Sequence, residues 1–432
     1  MTDKKVTTRV RMKSNKRNNI HLTDVVKMRQ TPVFTTMVKP VGATCNLDCG
    51  YCYYKDKAGL YPTARMMMSD EVLRLYIEQY LGSVSQPVVT FCWHGGEPLL
   101  AGLDFFRRAM MYQQRYCGDK KIENTLQTNG LLVDDEWCRF FKENNFLVGI
   151  SLDGPREIHD AYRRDRGGAP TFDKVMAAVE LMQKHGVEYN ILATVNKASE
   201  GRGKEVYRFL RSVGNFIQFL PVTENVQLRA LHGAREAIVS PDEESGREAA
   251  WSVSAVAFGQ FMCDVFDEWV VSDVGRCYVQ LFDITLANWC GVAPSLCAFC
   301  ETCGDAPVVE HNGDVYSCDH FVYPEYCLGN IKERTLVEMY SSEEHRAFGR
   351  DKREALPMEC KRCTYNFLCR GECPKHRFDE AKNGEPYKNR LCEGYKMFFR
   401  HSDLYMRHMK TLLEKGRPPM EVIDFARQRR NF

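Results

Sequence analysis

At 432 residues, with a formal net charge of +2 and 27% charged residues, the chain is long enough for a large core and two domains. The charge balance excludes a general affinity for nucleic acid or for a membrane surface. Nineteen cysteines do not fit a disulfide scaffold, which is short and secreted, so metal or iron–sulfur ligation accounts for them better. No apolar run is long enough to span a membrane and no signal peptide is visible, so a soluble, cytoplasmic protein is expected, in an anaerobic or microaerobic setting because such clusters degrade in oxygen.

Residues 1–33 are basic and read as a solvated tail. Apolar runs then alternate with helical patterns as far as residue 222. Strands are expected at Phe34–Val41, Val88–Trp93, Glu123–Gln127, Leu147–Leu152, Tyr189–Val195 and Phe216–Pro221. Helices are expected at Asp70–Leu81, Asp104–Tyr116, Asp134–Asn144, Phe172–His185 and Lys204–Val213, several opening on an Asp suited to a cap. Six such units imply a parallel sheet, as in a partial (β/α)6 TIM-like barrel with functional residues where the strands end. Residues 223–295 form a helical connecting region, with Phe258–Val271 its clearest helix. A cysteine-rich extension spans 296–400, and a helical C-terminal tail follows at 401–432. Inside the extension, Val308–Tyr316 reads as a hairpin with an Asn312-Gly313 turn.

The densest chemical signal is Cys45-x3-Cys49-x2-Cys52. Three thiolates can ligate three irons of a [4Fe–4S] cube and leave the fourth open to a small molecule. A structural zinc knuckle would need a second Cys or His pair nearby, and none follows. The second strand runs into His94-Gly95-Gly96-Glu97-Pro98, where glycines allow close backbone approach and exposed carbonyls with a carboxylate can accept from an ammonium.

Together these motifs resemble the radical S-adenosylmethionine (SAM) superfamily. The resemblance implies that the open iron binds SAM, that Gly95, Gly96 and Glu97 engage its amino group, and that Tyr51 lies against the adenine. Ser151 and Arg163 are implied near the SAM methionine or ribose. One electron then cleaves SAM to a 5′-deoxyadenosyl radical, which abstracts a substrate hydrogen.

Cys360-x2-Cys363-x5-Cys369-x3-Cys373, then Cys392, with Cys297-x5-Cys303-x14-Cys318 upstream, resembles the SPASM extension of peptide-modifying radical SAM enzymes. That implies two further [4Fe–4S] clusters, three in all. One would use Cys297, Cys303, Cys318 and Cys373; the other, Cys360, Cys363, Cys369 and Cys392. Cys300 competes with Cys297 as a ligand, because Cys300-x2-Cys303 is also a plausible pair.

Within that group, Tyr316–Val322, Cys49–Tyr54, Trp93–Pro98 and Phe216–Phe219 are similar to anaerobic sulfatase-maturating enzymes, over roughly residues 34–400. The resemblance implies oxidation of a Cys or Ser in an unfolded or nascent sulfatase polypeptide of C/S-x-P-x-R type to Cα-formylglycine. It also implies a flavodoxin- or ferredoxin-like electron donor, Asp319 as catalytic base and Tyr54 as an active-site aromatic. A free Asp is a poor base toward a thiol. Either burial raises its pKa or the radical-bearing carbon acidifies the adjacent proton, the second being the larger effect. The auxiliary clusters would accept the second electron. The competing expectations are thioether or carbon–carbon cross-linking by another SPASM maturase, and a metal-binding scaffold without catalysis.

Overall fold

The protein, seen in a computed structural model, is described over residues 32–61, 66–227 and 248–430. The basic N-terminal stretch falls, as far as residue 31, outside the described residues. All six expected strands form: β1 (Thr36–Val38), β2 (Val88–Trp93), β3 (Lys121–Thr128), β4 (Phe146–Ser151), β5 (Glu188–Val195) and β6 (Phe216–Pro221). The intervening helices are α1 (Asp70–Ser83), α2 (Leu103–Tyr116), α3 (Asp135–Glu143), α4 (Arg156–Tyr162), α5 (Phe172–His185) and α6 (Gly203–Val213). Of these, α4 was not expected. Capping sets two of the starts: Ser69 Oγ accepts from Val72 N at 3.2 Å, and Asp134 Oδ1 from Trp137 N at 2.8 Å.

Strand periodicity separates the two faces of the sheet. Val89, Phe91, Trp93, Leu126, Phe146, Val148 and Ile150 are buried among the helices, where Trp93 meets Phe105 and Phe106 edge-on. The opposite face carries smaller or polar residues, among them Cys92, Thr125, Gln127, Gly149 and Ser151, and this face leaves room for ligands.

Four more strands extend this sheet: β7 (Tyr278–Val279), β8 (Val308–Val309), β9 (Asp314–Tyr316) and β10 (Cys327–Asn330). The order is β10-β9-β8-β1-β2-β3-β4-β5-β6-β7, with β8 parallel to β1 and only β9 running against the others. With β10 and β7 at its two edges the sheet is an open arc, a partial barrel. The hairpin β8–β9, turning at Gly313 as expected, thus joins the cysteine-rich extension directly to the first barrel strand.

Helices α7 (Ala255–Trp269), α8 (Gln280–Trp289), α9 (Glu343–Glu354), α10 (Cys392–Glu414) and α11 (Val422–Arg430) complete the outer layer. Here α10 packs along α7 so closely that a Cβ on Gly394 would lie 2.1 Å from Ala255 O. The boundary expected at residue 400 falls inside α10. The segment after it is packed, with Met406, Met409, Val422 and Ala426 all buried.

Candidate active site

The loop after β1 carries Cys45, Cys49 and Cys52 and is clamped on two sides. On one side the chain leaving β2 continues the ladder: His94 N donates to Val38 O at 2.9 Å, Gly96 N to Gly42 O at 2.8 Å and Glu97 N to Thr44 O at 2.8 Å. Gly96 permits this approach, since a Cβ there would lie 2.0 Å from Thr44 O. On the other side Asp48 N donates to Arg164 O at 2.9 Å and Gly50 N to Tyr162 O at 3.3 Å. Burial pushes the Cys45 thiol up to about 11 and the Cys49 thiol up to about 12, with repulsion from the neighbouring cysteines adding to it. Such crowded, desolvated thiols fit a metal cluster, because ligation offsets the cost of ionising them.

Glu97 is fully buried. Its Oε1 accepts from Leu99 N at 3.0 Å and Thr128 Oγ1 at 2.9 Å, and its Oε2 from Asn129 N at 2.8 Å. Three donors leave one acceptor position of a carboxylate's four. Burial still pushes this carboxyl up to about 7, and no ion pair to Glu97 forms among the described residues. A buried carboxylate without a cation, beside Cys45, fits the ammonium group of SAM.

Tyr51 and Arg163 meet on Asp153, a residue missed in the sequence although it ends the Ser151-Leu152-Asp153 run. Tyr51 Oη donates to Asp153 Oδ2 at 2.5 Å, and Arg163 Nε lies 3.0 Å from the same oxygen. Asp153 Oδ1 accepts from Thr194 N at 2.9 Å at the end of β5. Ser151 stands apart from this group and accepts from Gln127 Nε2 at 3.0 Å.

The cysteines of the extension gather in two groups. Cys297 feels the charge of Cys303, Cys318 that of Cys373 and Cys297, and Cys373 that of Cys297 and Cys303. Cys300 is near Cys297 and Cys303 but turns its thiol to Pro294 O at 3.5 Å and Leu296 O at 3.7 Å. Cys360, Cys363, Cys369 and Cys392 line one cavity together with Tyr395 and Phe399. Each group gathers four thiols, a donor set suited to iron–sulfur ligation.

Asp319 follows Cys318 and lies against the barrel. Tyr53 Oη donates to its Oδ2 at 2.5 Å, and the fully buried Lys39 Nζ lies 3.6 Å from that oxygen. Lys39 also meets His94 Nδ1 at 3.1 Å and the Tyr54 ring at 4.2 Å. Burial alone would raise the Asp319 carboxyl, but Lys39, then His320 and His94, with the Tyr53 hydroxyl, hold it well below the usual carboxylate range. Tyr54 lies behind, its hydroxyl donating to Glu310. Lys39, Tyr53 and His94 were given no role from the sequence; the available signals were that Lys39 and His94 directly follow β1 and β2 and that Tyr53 follows Cys52. Cys318, Asp319 and His320 have donor atoms within 4.8 Å of one another, a grouping compatible with a single metal ion, yet Cys318 also faces Cys297 and Cys373. From Tyr53 and His320 a cleft of about 580 Å³ opens along Lys57, Glu224, Tyr323, Phe348, Asp351 and Tyr387.

An open parallel arc with three cysteines in its first loop, followed by a cysteine-rich extension, defines a radical SAM enzyme with an iron–sulfur extension. The Radical SAM superfamily matches residues 40–210, and SPASM, an iron–sulfur cluster-binding domain, matches 297–364. The chain belongs to the anaerobic sulfatase-maturating enzymes. It is 48% identical, over 90% of its length and 94% of the relative's, to a serine-type anaerobic sulfatase-maturating enzyme of Bacteroides thetaiotaomicron. It is 33% identical, over 86% of its length and 96% of the relative's, to a cysteine-type enzyme of Clostridium perfringens. The solved structure of native anSMEcpe with bound AdoMet and Cp18Cys peptide superimposes with a TM-score of 0.76 at 32% identity, covering 88% of this chain and 99% of that one.

Proposed function

We propose that this enzyme oxidises a serine or cysteine of an unfolded or nascent sulfatase polypeptide, of C/S-x-P-x-R type, to Cα-formylglycine. The observation that carries this reading is Asp319. It is a carboxylate kept ionised by Lys39 and oriented by Tyr53, which with His320 lines a cleft of about 580 Å³. Cys45, Cys49 and Cys52 would hold a cluster that, with SAM, would supply a 5′-deoxyadenosyl radical for removal of one hydrogen atom from the target Cβ. Asp319 would then receive the hydroxyl or thiol proton as the second electron passes to an auxiliary cluster held by the cysteines of the extension, so that the side chain has lost two hydrogens in all. Serine gives the aldehyde directly, whereas cysteine gives a thioaldehyde that water converts with loss of sulfide. Glu97 and the backbone of Gly95 and Gly96 hold the SAM ammonium, and Tyr51, with Arg163 on Asp153, closes the wall beside Cys49.

The two cysteine groups of the extension support two auxiliary [4Fe–4S] clusters, making three. A one-electron donor of the flavodoxin or ferredoxin class is needed to start SAM cleavage. The greater identity to the serine-type relative supports serine as the preferred target. The test is anaerobic incubation with SAM, reductant and matched S-x-P-x-R and C-x-P-x-R peptides, read by mass spectrometry. Formylglycine should appear in both and faster from serine. A cross-linked product, or none, would overturn the reading.

A further inference from the structure

We infer that Lys57 is a peptide-anchoring residue, whose ammonium donates to a main-chain carbonyl of the polypeptide lying in the cleft; this rests on the function proposed above. The loop that carries Cys52 goes on through Tyr53, the partner of Asp319, to the short helical turn Lys55–Leu60. Lys57 N donates to Tyr54 O at 3.1 Å within this turn, which aims the side chain at the cleft that Lys57 lines. The residue is only 2% exposed, yet among the described residues its Nζ has no hydrogen-bond partner. It lies over the face of the Tyr323 ring, 3.1 Å from the centroid. A cation–π contact replaces only part of the hydration an ammonium loses on burial. The neighbouring lysine does not help: Lys375 lies over the Tyr53 ring at 4.1 Å and pairs with Glu224 at 3.2 Å. Burial, followed by repulsion from Lys375, pushes the Lys57 amine down to about 7.

An unsatisfied buried donor is destabilising, and such groups persist where a ligand uses them. The wall around Lys57 already carries the charges of Asp56, Asp319 and Glu224, so another carboxylate is disfavoured there. A neutral carbonyl oxygen is accepted. Because one loop holds Cys52, Tyr53 and Lys57, a carbonyl fixed on Lys57 sets the register of the peptide relative to both Asp319 and the radical source.

The test is Lys57→Met, nearly isosteric and unable to donate, with Lys57→Gln as a neutral donor. Binding is read anaerobically by fluorescence anisotropy, with the iron-loaded enzyme, SAM and a labelled S-x-P-x-R peptide, made with and without acidic side chains. Loss of a charge-assisted hydrogen bond should weaken binding by about tenfold to a hundredfold. The loss should fall on KM more than kcat and be equal for both peptides, with Gln intermediate. The melting temperature of the peptide-free Met variant should stay level or rise, because a buried unpartnered charge has gone. A merely structural lysine would show the opposite: a lower melting temperature and poorer iron loading with unchanged affinity. Wild-type affinity in the Met variant overturns the inference, as does a loss confined to acidic peptides. If wild-type enzyme binds the peptide but leaves it unmodified, the proposed function fails, while the affinity comparison still judges Lys57.

Discussion

A carboxylate with an ordinary pKa of about 3.9 is a weak base toward a thiol at about 8.5, and the surroundings of Asp319 weaken it further. Lys39, His320 and His94 pull it down against the effect of its own burial. Burial therefore does not make Asp319 a stronger base, so under the proposed mechanism the acidity would come from the substrate once its Cβ carries the radical. Asp319→Asn should then continue to cleave SAM to 5′-deoxyadenosine while formylglycine falls ~10²–10⁴-fold, the usual cost of losing a general base. Near-normal formylglycine from an iron-replete variant would remove Asp319 from the chemistry. Lys39 carries the complementary prediction. Replacing it by Met leaves the Asp319 charge without its buried partner, which typically costs about 3–5 kcal/mol, so the anaerobic melting temperature should drop and product formation with it. An unchanged melting temperature would show that the ion pair contributes little. Asp319 was legible in the sequence because it follows Cys318 in a recognisable run. Lys39, Tyr53 and His94 were not, because what gathers them is tertiary: Tyr53 and Asp319 are separated by 266 positions and Lys39 and His94 by 55. Asp153 was passed over for the same reason, since its partners Tyr51 and Thr194 come from the loop after β1 and from β5.

Among the elements, the loops after β1 and β2 act as one unit. Gly96 lets Glu97 N reach Thr44 O, and Glu97 in turn ties the loop to Thr128 and Asn129 at the end of β3. Gly96→Ala would drive a methyl into Thr44 O, an overpacking worth typically about 1–3 kcal/mol. It should displace the Cys45 loop, so SAM binding measured by equilibrium dialysis should fall even where iron is retained; unaltered SAM affinity would disprove the coupling. Cys297 and Cys300 share a short turn but face different ways. Cys300→Ala should keep full iron, whereas Cys297→Ala should lose a cluster, and the reverse result would exchange their assignments. The six main strands were legible from alternating apolar patterns of five to eight residues, and α5 (Phe172–His185) to the residue. The added strands were not: β7 and β8 are two residues long, below any periodicity, and only the Asn312-Gly313 turn signalled the hairpin. Its pairing with β1 depends on Met37 and Val38 meeting Val308 and Val309, a register that no local pattern specifies.

Over the whole molecule, the sheet and the outer helices bind the iron-bearing parts to one another. The hairpin β8–β9 continues the barrel sheet, so Cys318 just beyond β9 is placed relative to Cys45, Cys49 and Cys52 by strand pairing rather than by a flexible linker. The three proposed clusters would correspond to about twelve irons per chain, and replacing Cys45, Cys49 and Cys52 together by Ala should leave about eight. Retained SAM cleavage in that variant would defeat the assignment of the open cluster. The second auxiliary group tests the architecture more sharply. Cys360, Cys363 and Cys369 belong to short turns, whereas Cys392 opens the long helix α10. The turns bury only a few apolar side chains, Leu368, Ala381 and Leu391 among them, so ligation would add folding free energy there. Helix α10 does not depend on it, since Tyr395, Phe398, Phe399, Met406 and Met409 are buried in the core and Gly394 lies against α7. Cys360→Ala with Cys363→Ala should therefore lose about four irons. Limited anaerobic proteolysis should then cut between residues 357 and 391 while α10 stays docked and protected. Early cleavage inside α10 would mean that the cluster, rather than helix packing, holds the C-terminal layer in place. Full iron content in the double variant would mean that the cavity lined by these cysteines is not a cluster site.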